Sequence, residues 1–160
     1  MFRTILVPVD GSKHADKAVT FAADLAAKYG ARLHLLHVLL TGHVPDSIRN
    51  LSDKQGREEP PLAVGAGYVE ASLPPEVLED IGAKLLERAQ RAAQERGASD
   101  IQTNWRHGSA TEGILQEARE SGADTIVMGS RGLSELKGMM VGSVSHKIQH
   151  LFDGSVLTVK

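Results

Sequence analysis

The chain has 160 residues, 41% of them hydrophobic and 24% charged, which fits one globular domain large enough to bury a core. A formal charge of −2 gives no electrostatic footprint for DNA or RNA, and no apolar run approaches the roughly 18 residues of a membrane span. The absence of cysteine excludes disulfides, thiol catalysis and iron–sulfur ligation.

In chain order, Ile5-Leu6-Val7-Pro8-Val9 reads as a short strand buried on both faces, ending near Pro8 because proline cannot donate to a ladder. Nothing before it resembles a signal peptide, so a cytoplasmic location is expected. Asp10-Gly11-Ser12 forms a turn with Ser12 as N-cap. Ala15, Ala18, Val19, Ala22, Leu25, Ala26 and Tyr29 recur at helical spacing, and Gly30 stops that helix. Leu33 to Leu40 is a second strand. Residues 41 to 75 hold five of the six prolines and no apolar period, so a long functional or mobile loop is expected there.

Glu76 to Arg96 reads as a helix with Leu78, Ile81, Leu85, Ala89 and Ala92 on one face, closed by Gly97. A weaker strand follows at Ile101 to Arg106, then a helix at Ala110 to Glu120 closed by Gly122, then a strand at Asp124 to Met128. Val141, Val144, Ile148 and Leu151 mark a last helix, and Val156 to Val159 a last strand. Alternating strands and helices predict a single α/β domain, a doubly wound five-stranded parallel sheet (Rossmann-like) with helices on both faces. In such sheets ligands bind at the carboxyl ends of strands near a switch point. The ends of the first strand (Pro8 to Asp10) and the fourth (Met128 to Gly132) are the candidates to flank it.

The fourth strand runs into Gly129-Ser130-Arg131-Gly132, and Gly142-Ser143 follows after nine residues, opening the last helix. Glycines let backbone amides approach an anion without a Cβ between them, and a helix N-terminus aims unpaired N–H groups at it. The combination predicts a phosphate cradle. A bare turn with Ser143 as a simple cap is the competing reading, and the full spacing disfavours it. No Gly-Lys-Ser/Thr follows the glycines, so this is no Walker A loop, and the first turn lacks the dinucleotide Gly-x-Gly-x-x-Gly. Asp10, at the carboxyl end of the first strand, is an acceptor for hydroxyl protons or a ligand for Mg²⁺; the alternative is a turn residue assisting Ser12. Arg131, Lys137 and His146 are candidate phosphate contacts, weighed against ordinary solvated surface residues.

Val7-Pro8-Val9-Asp10-Gly11-Ser12, Met128-Gly129-Ser130-Arg131-Gly132 and Gly142-Ser143-Val144-Ser145 together resemble the universal stress protein family over nearly the whole chain. The Gly-x2-Gly-x9-Gly-Ser spacing is that family's nucleotide signature, and the resemblance implies its ATP-binding branch. It implies that Asp10 meets the ribose or a phosphate-held Mg²⁺, and that Pro8, Val9 and Val38 border the adenine. Met128, Gly129, Ser130, Arg131 and Gly132 would wrap ribose and phosphates; Gly142, Ser143, Val144 and Ser145 would hold phosphates. It further implies a homodimer through the last strand, Val156 to Val159, whose bare edge is otherwise a liability. The family often has a proline just before that strand, where this chain has Ser155.

No catalytic apparatus is expected. Ser12 and His14 are close in sequence, but no third residue orients the histidine and no nucleophile elbow is present. The third strand ends Trp105-Arg106-His107-Gly108, without the acceptor aspartate of a receiver domain, and no Ser-Gly-Gly-x-Asp-Ser hydrolase loop follows the first strand. The seven histidines are scattered, none beside a carboxylate at metal-ligand spacing, so no zinc or iron site is expected. The reading is an ATP-binding, dimeric stress-response module that signals its nucleotide state to an unknown protein partner. The alternatives are a dimeric scaffold of the same fold with no nucleotide, or a slow ATP hydrolase.

Overall fold

The computed structural model describes residues 2–39, 75–132 and 142–160. The expected loop at 41 to 75 therefore lies almost wholly outside the described residues, as do Leu40, Lys137 and Val141. The elements are β1 (Thr4–Pro8), α1 (Lys13–Tyr29), β2 (Arg32–Leu39), α2 (Pro75–Glu95), β3 (Ile101–His107), α3 (Ala110–Ser121), β4 (Thr125–Gly129), α4 (Ser143–Leu151) and β5 (Ser155–Val159). All pairings are parallel and the strand order is β3-β2-β1-β4-β5. The expected doubly wound sheet is present.

Alternation along the buried strands sorts side chains onto two helical layers. Ile5, Val7, Val9, Leu33, Leu35 and Val127 pack with α1 and α2, whereas Leu6, Leu36, Ile126 and Met128 pack with Ile114 and Ala118 of α3 and Ile148 of α4. Ser12 caps α1 by accepting from the Ala15 N–H at 3.1 Å, and Gly30 ends the helix at φ 65°, the left-handed conformation that favours glycine.

Periodicity misplaced several side chains. On α1 the buried face is Ala15, Ala18, Val19, Ala22, Ala23 and Ala26, small enough to bring the helix close to the sheet. Tyr29, placed on the apolar stripe by its spacing, is 43% exposed and packs on Phe2 at a centroid distance of 5.3 Å. On α2 the buried positions are Gly82, Leu85, Leu86, Ala89 and Ala93, a face turned from the expected one. Leu151 is 59% exposed; α4 ends at that residue, and Phe152, already extended, turns in against the core instead.

Edge strand β3 is tied down by polar contacts rather than apolar ones. Buried Glu117 of α3 accepts from Arg106 Nε at 2.6 Å and Asn104 Nδ2 at 3.0 Å. His34 places Nδ1 at 3.1 Å from the same carboxylate, at ion-pair distance but without hydrogen-bond alignment, and Nε2 at 2.6 Å from Gln102 Oε1.

Candidate functional site

Strand order reverses between β1 and β4: the chain steps outward through β2 and β3, then crosses back to β4 and outward to β5. The two central strands pair only at Ile5–Thr125 and Leu6–Ile126. Beyond Leu6 they part, and Pro8 explains why. Val9 donates to the Leu36 carbonyl at 2.7 Å, so Val9 faces β2 and the preceding position faces β4. Proline there has no N–H to offer across the gap. The strands thus part at the switch point, the place where this class of sheet binds ligands.

Three chain segments line it. The first is the turn after β1. Asp10 Oδ1 accepts the Ser12 N–H at 2.9 Å, and Gly11 takes φ 83° to make the turn. The second carboxylate oxygen, Oδ2, lies 2.9 Å from where a Cβ on Gly132 would sit. Asp10 therefore stands directly against the loop after β4, and a side chain at position 132 would have to displace its carboxylate.

The second segment is that loop. A Cβ on Gly129 would lie 2.8 Å from His14 Cβ and 3.0 Å from the His14 carbonyl carbon, so the first turn of α1 rests directly on Gly129. Ser130 is buried and its N–H donates to the Val159 carbonyl at 2.8 Å, extending the β4–β5 ladder.

The third is the start of α4. The Ser130 carbonyl accepts from the Gly142 N–H at 2.7 Å, and the single proton of the Ser145 hydroxyl is shared between the Ser130 carbonyl at 3.1 Å and the Gly142 carbonyl at 2.9 Å. These bonds clamp the two glycine segments together although nine residues separate them. Gly142 is the N-cap and supplies no side-chain cap, so the N–H groups of the first turn of α4 are not covered by a capping side chain. A Cβ on Gly142 would meet Ser130 O at 3.4 Å and Ser145 Oγ at 3.5 Å, ordinary contacts.

Of the residues singled out from the sequence, Pro8, Val9 and Asp10 stand at the end of β1, and Met128 to Gly132 at the end of β4 and its loop. Gly142, Ser143, Val144 and Ser145 form the N-cap and first turn of α4. Val38 lies near the end of β2, its Cγ2 3.0 Å from the position of a Cβ on Gly113, so α3 closes over it. Ser145 is buried and directs its hydroxyl to backbone carbonyls, a clamping role. Arg131 is half-buried in the loop, and His146 is exposed.

Sequence reasoning missed His37 and the place of His14. His37 lies buried beneath the turn after β1; its Nδ1 sits 2.6 Å from the Val9 carbonyl, which can only accept, so that nitrogen carries the proton. Burial lowers its pKa, opposed by the Val9 bond and the nearby Asp10 charge, and the ring stays neutral at pH 7. Its place next to strand residues of apolar character was the available signal. Among the described residues no histidine ring bonds a serine hydroxyl; the rings of His34 and His37 bond Gln102 and Val9.

Comparison with known proteins agrees with this architecture. The universal stress protein family model matches residues 1–160. Universal stress protein YxiE of Bacillus subtilis (strain 168) is 36% identical over 163 residues, covering 100% of both chains. A universal stress protein solved in complex with cAMP has a TM-score of 0.67 at 23% identity, covering 99% of this chain and 97% of its own. The universal stress protein from Archaeoglobus fulgidus in complex with dAMP has a TM-score of 0.64 at 18% identity, covering 100% of this chain and 98% of its own. At those identities the two structures speak for the fold alone. The family model and the YxiE match speak for descent: the chain belongs to the universal stress protein family.

Proposed function

We propose that this protein binds an adenine nucleotide, ATP with Mg²⁺, in the crevice between β1 and β4, and acts without turnover by presenting its nucleotide state to a protein partner. The observation that carries the reading is the clamp at Ser130: one carbonyl gathers Gly142 and Ser145, setting the bare turn at Gly129–Gly132 beside the side-chain-free N-terminus of α4. Backbone N–H groups and a helix dipole converging on one place suit a phosphate. Pro8 and Val38 supply an apolar border on the β2 side, the Val9 side chain being buried among the residues packed on α1 and α2, and the cAMP and dAMP complexes of structural neighbours support adenine as the base.

Asp10 suits the divalent ion. One carboxylate oxygen serves the turn and the other is directed at Gly132, so a hard cation would find one protein oxygen and take its remaining ligands from phosphate and water. The ion would screen Asp10 from the phosphates. Dimerisation through β5, in the cytoplasm, completes the reading: β5 pairs only with β4 and leaves its outer edge free among the described strands.

Thermal-shift titration with ATP, ADP, AMP and cAMP, each with and without Mg²⁺, tests it. A ligand at about a hundredfold over its Kd stabilises the fold by about 2.7 kcal/mol. ATP is expected to stabilise most, and more with Mg²⁺ than without. No stabilisation by any of the four overturns the reading in favour of a nucleotide-free scaffold. Loss of ATP during the incubation would overturn the non-catalytic part alone.

A further inference from the structure

On the exposed side of α4, His146 and His150 stand one turn apart, with ring centroids 4.6 Å apart and planes at 64°. Positions i and i+4 share one face of a helix. Two imidazoles bonded to one metal ion through ring nitrogens at about 2.0–2.1 Å hold their centroids roughly 4.5 Å apart at a square-planar angle and roughly 5.2 Å at a tetrahedral one. The observed separation falls at the square-planar end. From this juxtaposition we propose that His146 and His150 form a two-point chelating site for a divalent late transition-metal ion, Cu²⁺ foremost.

The chemistry of the pair selects the ion. Neutral imidazoles favour Cu²⁺, Ni²⁺ and Zn²⁺ over Mg²⁺ and Ca²⁺, which take oxygen, and the affinity order peaks at Cu²⁺. Among the described residues no third His, Cys, Asp or Glu joins the pair in a metal-holding cluster, so among them the two rings are the protein ligands the site would offer. His150 lies in the last turn of α4, where the helix dipole favours added positive charge. The His146 N–H donates to the Gly142 carbonyl at 3.0 Å, so an ion bridging the two rings would staple the turns that follow the N-cap. The proposal rests on the two rings alone and does not depend on the nucleotide reading. A single surface histidine binds such ions weakly; the second ring, already in place, supplies the chelate gain.

The test is calorimetric and thermal titration of the tag-free full chain with Cu²⁺, Ni²⁺ and, as control, Mg²⁺, repeated on His146→Ala, His150→Ala and Gln149→Ala. The expected result is one Cu²⁺ per chain and, at about a hundredfold over its Kd, a Tm rise of roughly 5 to 10 °C. Each histidine variant should bind at least about tenfold more weakly, and Gln149→Ala as the parent does. Two equatorial nitrogens in the copper electron-spin resonance spectrum, falling to one in either histidine variant, identify the ligands. Since both side chains are exposed, the metal-free variants should keep the parent circular dichroism and Tm. No Cu²⁺ binding by the parent chain, or binding undiminished in the histidine variants, overturns the proposal.

Discussion

On the proposed reading Gly142 serves ligand binding and Gly129 serves folding, and substituting each in turn tests that division. Gly142 has φ −71°, a conformation open to any residue, and a Cβ there would touch Ser130 O and Ser145 Oγ no closer than 3.4 Å. Gly142→Val is therefore expected to fold, with Tm within about 2 °C of the parent, because the smaller backbone entropy of its unfolded chain offsets slight crowding. Its branched γ carbons would stand over the first amides of α4. Losing one charge-assisted hydrogen bond to phosphate costs about 1.5–3 kcal/mol, so ATP affinity should fall roughly 10- to 150-fold. Gly129→Ala should behave in the opposite way. Its Cβ would press on His14 Cβ at 2.8 Å and on backbone atoms at 2.9 and 3.0 Å, none at the free end of a side chain. Such overpacking costs about 1–3 kcal/mol and should lower Tm by roughly 2 to 12 °C. Differential scanning fluorimetry and ATP titration on the two purified variants report both quantities. A Gly142→Val protein that keeps the parent ATP affinity would refute the placement of phosphate on α4.

Two further outcomes follow from particular groups. His37 has a folded pKa below its ordinary 6.5, so the unfolded chain takes up its proton first; this contribution to stability is whole above pH 6.5 and declines as pH falls toward the folded value. Chemical denaturation of the parent and His37→Leu between pH 7.5 and 5 should show a steeper acid decline in the parent; equal slopes would count against it. On β5, Ser155 N–H donates to the Asp124 carbonyl and Val159 O accepts from Ser130, so these residues and Leu157 face β4 and Thr158 turns its N–H outward. Thr158→Pro removes an outward donor and no bond to β4, so it should yield monomers by light scattering if β5 is the dimer contact. A dimer that survives would move the interface elsewhere.

The sheet and its connections were legible because glycines at 30, 97 and 122 end helices where the sequence places them, each with positive φ. The parting of β1 and β4 was legible for a similar reason: Pro8 acts through the backbone, and backbone effects are local. Tyr29 and Leu151 were misassigned because a helical period says which residues share a face, not which of them the rest of the fold covers or where the helix stops. His37 and the Glu117 cluster escaped because each joins residues far apart in sequence, such as His37 with Val9 and Glu117 with Arg106. Nothing in a linear string marks a histidine as the support of a distant carbonyl. The clamp at Ser130 belongs to the same class, since its acceptor is a carbonyl that every residue carries.

The alanine stripe of α1 reaches further than its own packing. Ala18, Ala22 and Ala26 set the standoff between helix and strands, while the leading end of the same rod, at His14, touches Gly129. A methyl or two added at Ala22 would act as a wedge behind a lever, tipping the amino end and disturbing the mouth of the crevice from two turns away. On the proposed reading, variation at these positions should therefore alter nucleotide affinity with every residue assigned to the site left unchanged.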